Sequence, residues 1–316
     1  MGRSLNNQQI INKGRTMATG QEYGMLNPEQ SEKFMEMVFD ESSFLGRFRH
    51  EMRVATKGSI EKLGIGRRLL RRKEEGEMPA EKDWAEPVLG AVPYSTTDMV
   101  LGAEITEKFI RENIEKEGFE DTFMSMIAQQ VKLDMLDLAF NGDTDYTGDD
   151  EGFVTILDGI VKQLLEGGGH ILDAQTLSDK FVDDIFTTAL KILPTKYFDK
   201  SNYTWIANNK TYITWLEYLK KKETTAGDMA ILSGENFNPL NVEWSIVPNF
   251  PDDKIILANP KNFTTVTTYN IKLRKTTEGK EAVMRDTRYY AVHLDMDQII
   301  LEKDAVVLID NIPEIV

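Results

Sequence analysis

Apolar residues recur at helical spacing most consistently over one long stretch of the sequence. Phe119, Phe123, Ile127 and Val131 fall on one line, with Met126, Leu133, Leu136 and Phe140 beside it. Gly118 precedes the stretch and Asn141-Gly142 supplies a stop, so the spacing predicts a helix over residues 119–141, roughly 33 Å long at about 1.5 Å per residue. A shorter helix is predicted before it, over 107–117. Beyond Gly142 the pattern mixes helices at 156–165, 180–193 and 210–221 with short strands at 203–207, 244–247 and 254–258. The period then changes to two. Tyr290, Val292, Leu294 and Met296 alternate with Ala291, His293, Asp295 and Asp297, which predicts a strand with one buried face. A last apolar run, Ala305–Ile309, closes an α+β pattern.

Two regions lack the apolar residues needed for a core of their own. Residues 1–44 are rich in Asn, Gln, Glu and Met, with weak periodicity beyond a short helical pattern at 30–39 (Phe34, Met37 and Val38 on one face). They read as an extended arm that must lie on something else. From residue 45 to about 105 the chain is β-like. Arg67-Arg68-Leu69-Leu70-Arg71-Arg72 sets two leucines among charges, a polar turn follows with Gly76 and Pro79, and an extended stretch returns at 88–94. This is the pattern of a long two-stranded loop. An isolated hairpin is marginal in water, so the loop is expected to rest on a neighbour.

Charge sharpens that expectation. The 316-residue chain has 37 Lys+Arg, 52 Asp+Glu and a net charge of −15. Between Leu45 and Glu75 lie ten basic and four acidic residues, a net of +6, which leaves −21 on the remainder. A basic segment on an acidic body fits contact with nucleic acid or with the acidic surface of another copy of the chain. With no cysteine, disulfides, thiolate metal sites and cysteine nucleophiles are excluded, and three scattered histidines offer little for a histidine-based site. No apolar run reaches the length of about 18 residues needed to span a membrane.

Catalytic motifs fail individually. Gly64-Ile65-Gly66 lacks the third glycine of a dinucleotide fingerprint, and Gly167-Gly168-Gly169-His170 lacks the Lys-Ser/Thr of a phosphate loop. The loop from Asp143 places Asp143, Asp145, Thr147 and Gly148 at positions of a calcium-binding EF-hand, but Val154 stands where the bidentate glutamate belongs. No enzyme, cofactor or metal site is assigned.

The order of these segments resembles the major capsid protein family of tailed bacteriophages, with its Hong Kong 97-type fold. The resemblance is carried by Phe44-Leu45-Gly46-Arg47, Lys62-Leu63-Gly64-Ile65-Gly66-Arg67-Arg68, the 119–141 helix with Asn141-Gly142-Asp143, Gly152-Phe153-Val154 through Gly159, and Ile256-Leu257-Ala258-Asn259-Pro260. It implies an N-terminal arm at 1–44, an extended loop at 45–105 and a peripheral domain from 106–142 and 261–316 with residues 119–141 as spine. Residues 143–260 would form the axial domain. It further implies a virion protein, made in the bacterial host cytoplasm, that self-assembles through pentamers and hexamers around double-stranded DNA. Expected partners are other copies, a separate scaffolding protein, a portal and a decoration protein, with weak non-specific DNA contact and no membrane. Arg67, Arg68, Arg71, Arg72 and Lys73 are the expected inter-subunit contacts. The competing readings are an encapsulin-type nanocompartment shell, an acidic metal-dependent hydrolase using Asp143, Asp145, Asp149 and Glu151, and a DNA-binding module resting on the basic segment.

Overall fold

After a 3-10 turn at Leu45–Arg47, the computed structural model places strands β1 (Arg49–Met52), β2 (Lys57–Gly64), β3 (Val88–Ser95) and β4 (Thr97–Thr106). Helices α1 (Glu107–Glu112), α2 (Phe119–Asn141), α3 (Glu151–Val154) and α4 (Ile160–Glu166) follow, then β5 (His170–Asp173) and α5 (Asp184–Ile192). The chain continues through β6 (Thr204–Ala207), α6 (Asn209–Lys221), β7 (Glu243–Ile246), β8 (Ile255–Ala258), β9 (Phe263–Thr267) and β10 (Lys272–Thr276). It ends with α7 (Lys280–Arg285), β11 (Thr287–Ile300) and β12 (Val307–Asp310). The structure describes residues 38, 44–64, 72, 88–112, 119–178, 181–221 and 238–313. The arm, with its expected 30–39 helix apart from Val38, and the basic residues Arg67, Arg68, Arg71 and Lys73 lie outside the described residues.

The chain divides into two compact units. One comprises Met1–Leu45, Asp98–Asp134 and Tyr269–Asp295; the other comprises Gly46–Thr97, Met135–Thr268 and Met296–Val316. In the first unit β10 pairs antiparallel with the early part of β11, Leu273 opposite Val292. Ile105 and Tyr290 are buried there against Ile110, Phe123 and Met124. The Phe123 and Tyr290 rings meet edge-on at 5.3 Å, a geometry that aligns the positive ring edge with the negative face. Arg288 forks onto the two carboxylate oxygens of Glu107, and that hydrogen-bonded pair holds the Glu107 carboxyl below its usual range.

The second unit is built on a five-stranded sheet of order β5-β12-β8-β6-β7. Every residue of β8 is buried, and α5 and α6 supply Ile185, Phe186, Ala189 and Trp215 to the core around Trp205. Fully burying a side chain the size of Ile185 or Phe186 contributes about 1.5–3 kcal/mol. The Phe186 ring lies 5.0 Å from Trp205 and 5.1 Å from Trp215, both edge-on. The helices and strands expected at 180–193, 203–207, 210–221, 244–247 and 254–258 all form, within a few residues of the expected ends.

The helix expected at 119–141 forms with those bounds. Its stop is steric. The Gly142 amide donates to Leu138 O at 3.0 Å, and a Cβ on Gly142 would lie 2.3 Å from Leu157 O. Gly159 closes the same turn by donating to Gly142 O at 2.8 Å.

Three expectations need correction. Met126 and Leu133 are exposed (61% and 39%), because at 3.6 residues per turn they stand on the face opposite Ile127, Val131, Met135 and Leu138, which form the buried stripe. The helix expected at 156–165 starts only at Ile160, since Gly159 is extended (φ −73°, ψ 172°) and Glu151–Val154 is a separate turn. Strand β11 does not keep one polar face: Asp295 is 1% exposed and accepts the Tyr269 amide at 3.4 Å.

Gly142→Ala is expected to lower stability by about 1–3 kcal/mol through overpacking. Gly152→Ala, whose added methyl meets nothing within 4 Å, should stay near the wild type. Denaturant midpoints of the two variants check this.

Candidate functional site

Strands β2 and β3 pair antiparallel over eight positions, from Lys57 opposite Ser95 to Gly64 opposite Val88. Alternation sends Ile60 and Tyr94 to one side of this ribbon, where both are buried against Val266 and Ile299, with Val92 and Leu301 at the margin. Gly58 faces Tyr94 across the ribbon, and a Cβ there would meet the phenol at 2.8 Å, so glycine lets the ring lie flat over its partner strand. The Tyr94 hydroxyl donates to Ala55 O at 3.1 Å, and Lys62 pairs with Glu302 at 3.5 Å. The other side carries Ser59, Glu61, Leu89 and Pro93, all exposed, Leu89 at 73%.

A carboxylate fixes the ribbon where it ends. The Ser95 amide donates to Asp297 Oδ2 at 2.7 Å. Asp297 borders a cavity of about 410 Å³, lined also by Pro93, Thr144, Asp158 and Gln163. Burial pushes the Asp297 carboxyl up to about 6, against the opposing pull of the Ser95 and Gln298 amides; the Asp158 charge adds a smaller push.

The acidic loop after α2 is organised by a cation from α4. Lys162 is only 8% exposed, and its Nζ lies 2.7 Å from Asp143, 2.6 Å from Asp145 and 3.1 Å from Asp158. Desolvation opposes its charge, but hydrogen bonds to Asp143, Asp145 and Asp158 prevail and hold the ammonium above the ordinary lysine range. The Lys162 hydrogen bond in turn holds the Asp143 carboxyl low. The Thr144 amide and hydroxyl donate to Asp158 at 2.9 and 2.8 Å. Two of the carboxylates that suggested an EF-hand, Asp143 and Asp145, therefore bind an ammonium, while Asp149 and Glu151 stay exposed. Among the described residues no group of three or more His, Cys, Asp or Glu is arranged to hold a metal ion.

Of the expected contact residues only Arg72 is described, and it is exposed. Sequence reasoning missed Asp297 and Lys162. Asp297 sat in the expected polar face of β11, and Lys162 lies 17 residues beyond Asp145, with no local pattern linking them.

No family model matches the chain. The prophage capsid protein YqbE of Bacillus subtilis (strain 168) is 28% identical over 325 residues, covering 98% of this chain and all of that protein. Among solved structures, the satellite phage P4 procapsid matches with a TM-score of 0.69 at 14% identity, over 97% of this chain and 98% of that one. The capsid of the native GTA particle matches at 0.58 and 13% identity over 98% and 100%. Gordonia phage Cozz matches at 0.56 and 13% over 84% and 85%. The chain has the Hong Kong 97-like capsid fold, and in sequence it resembles a prophage capsid protein.

Two charge predictions follow from this geometry. The folded chain keeps a proton on Asp297 that the unfolded chain releases between about pH 4 and the folded value of about 6, so this group's stabilisation is lost as pH rises through that window. Asp297→Asn, which retains an acceptor for Ser95, should gain roughly 1–2 kcal/mol over wild type at pH 7 and nothing at pH 4 in matched melts. Lys162→Met leaves the carboxylates unneutralised and should lose roughly 2 kcal/mol at pH 7, a figure reduced for their partial exposure. That loss should shrink in acid, because the depressed carboxylates contribute above their ordinary range and lose their contribution as pH falls through their folded values.

Proposed function

We propose that this chain, which carries the capsid fold, is the major capsid protein of a tailed bacteriophage or prophage, assembling through pentamers and hexamers into an icosahedral shell around double-stranded DNA. The observation that carries this reading is end-to-end correspondence: the capsid relative aligns over 98% of the chain, and the P4 procapsid fold over 97%. The role is structural rather than catalytic.

Within this reading, residues 1–44 act as the arm, 45–105 as the extended loop, 106–142 with 261–316 as the peripheral domain and 143–260 as the axial domain. The ribbon supports the loop assignment physically. Its root is fastened by Ile60, Tyr94 and Asp297, while its other side exposes Leu89 and Pro93 for a neighbour to cover. Arg67, Arg68, Arg71, Arg72 and Lys73 would then meet carboxylates of the adjacent subunit, where guanidinium forks match carboxylate geometry. A separate scaffolding protein, a portal and a decoration protein are the remaining partners, with weak non-specific DNA contact. The protein is made in the host cytoplasm and resides in the virion.

The chain produced without other phage proteins is expected to form rings of five or six subunits and closed polyhedral particles, visible by negative-stain imaging and sedimentation. A monodisperse monomer under all conditions would overturn the reading. Reversing the charge of Arg67, Arg68, Arg71 and Arg72 together should reduce particle yield by roughly tenfold or more; normal particles from that variant would remove these residues from the interface.

A further inference from the structure

The whole sequence contains one Asn-Gly and one Asp-Gly dipeptide, at Asn141-Gly142 and Asp158-Gly159. The fold brings the two into contact, since the Gly159 amide donates to Gly142 O at 2.8 Å. In such dipeptides a backbone amide nitrogen readily attacks the preceding side chain, because glycine puts no Cβ in the way. Here steric need puts glycine at both places. A Cβ on Gly142 would lie 2.3 Å from Leu157 O, and one on Gly159 would lie 2.7 Å from Phe140 O.

The turn that demands these glycines also withholds the reacting groups. The Gly142 nitrogen is engaged by Leu138 O at 3.0 Å, and the Gly159 nitrogen by Gly142 O. The Asn141 side-chain amide donates to Asp137 Oδ1 and to Asn249 O, both at 2.6 Å, which holds its carbonyl carbon in place. Asp158 Oδ1 accepts the Thr144 amide and hydroxyl at 2.9 and 2.8 Å and the Lys162 ammonium at 3.1 Å. Desolvation pushes the Asp158 carboxyl up, but those hydrogen bonds prevail and hold it below the ordinary carboxylate range. An ionised carboxyl resists attack by an amide nitrogen.

We propose that the two dipeptides form a latent modification site, whose chemistry is released when the turn opens and then prevents its reclosure. On opening, the Gly142 nitrogen loses its proton to hydroxide and attacks the Asn141 side-chain carbonyl. The ring C–N bond forms, the bond to Nδ2 breaks and ammonia leaves. Water then opens the succinimide to aspartate or isoaspartate. Reclosure fails because the new carboxylate stands where Asn141 Nδ2 donated to Asp137 and Asn249, so two hydrogen bonds become repulsions. Isoaspartate also adds a backbone methylene, which displaces Gly142 O and frees the Gly159 nitrogen. That nitrogen attacks the protonated form of Asp158, with water as the leaving group, so the second dipeptide reacts after the first.

The test follows the full-length chain over time in mildly alkaline buffer, folded or held unfolded in urea. Peptide mass spectrometry reads the amide-to-acid change at Asn141, and electron-transfer fragmentation separates isoaspartate from aspartate at both positions. Reaction at Asn141 should be at least roughly tenfold slower in the folded chain. In sub-denaturing urea its rate should rise in proportion to hydrogen exchange at the Gly142 amide, because both reactions use the same opening. Asp137→Ala, which removes one anchor of the Asn141 amide, should raise the folded rate roughly threefold or more and leave the unfolded rate unchanged. Chains altered at Asn141 and separated by charge should not regain exchange protection at Gly159. Equal folded and unfolded rates, a folded rate that does not follow Gly142 exchange, or restored protection at Gly159 would overturn the proposal. These arms use the wild-type sequence, so they decide the matter even where Asp137→Ala fails to fold; a folded Asp137→Ala chain reacting at the wild-type rate would also overturn it.

Discussion

A two-stranded ribbon has one hydrogen-bonded interface and two faces, and it cannot bury either face by itself. The β2–β3 pair meets that constraint by surrendering one face to its own unit and leaving the other open. Ile60 and Tyr94 are the apolar payment toward docking on Val266 and Ile299, and Gly58 gives the Tyr94 ring room to lie across the ribbon. The Ser95–Asp297 hydrogen bond then fixes the point where the ribbon returns to the sheet. The ribbon direction is set at its root, so whatever the outer face meets is decided by a few residues far from the contact.

The second recurring device is the sharing of cations. An acidic chain has too few Lys and Arg to neutralise its carboxylates one by one. Lys162 gathers Asp143, Asp145 and Asp158; Lys254 gathers Asp253 and Asp310; Arg288 takes both oxygens of Glu107. For Lys254, as for Lys162, the surrounding carboxylates outweigh desolvation and raise the ammonium above its ordinary range. Such clusters tie segments distant in sequence, as Lys254 does with Asp310, and they make carboxylate-rich loops rigid rather than merely solvated. Glu51 runs the other way, with Arg49 and Arg53 on one carboxylate.

Much of the fold was legible because it depends on local signals. The α2 helix ends where Asn141-Gly142 said it would, and β6, β7, β8 and β12 coincide with short apolar runs, whereas β5 had no such signal. The errors fall where tertiary surroundings override period. The stripe drawn through Phe140 misplaced Met126 and Leu133, because Phe140 is buried by Phe48, Phe250 and Phe263 closing around the helix end, while the face it shares with Leu133 is exposed earlier along α2. The alternation in β11 suggested an exposed Asp295, yet a distant backbone amide supplies the hydrogen bond that permits its burial. At the site, the ribbon and its need of a neighbour were visible as a deficit of apolar residues. Its anchors were not, since Asp297 looks like any outward carboxylate until Ser95 is placed beside it.

The acidic loop shows why motif spacing alone misleads in a chain of this composition. Asp143, Asp145, Thr147 and Gly148 match the opening of a calcium loop because both kinds of site need several oxygens converging on one positive centre. The residue that decides between them lies outside the loop. Lys162, in the first turn of α4 and four residues after Asp158, brings its own charge to these carboxylates. An ammonium supplied by the chain makes the loop part of the folding energy, whereas a metal would make it depend on an external ligand. A built-in cation gives the loop one form without regard to ion supply, because the charge that organises it arrives with the fold.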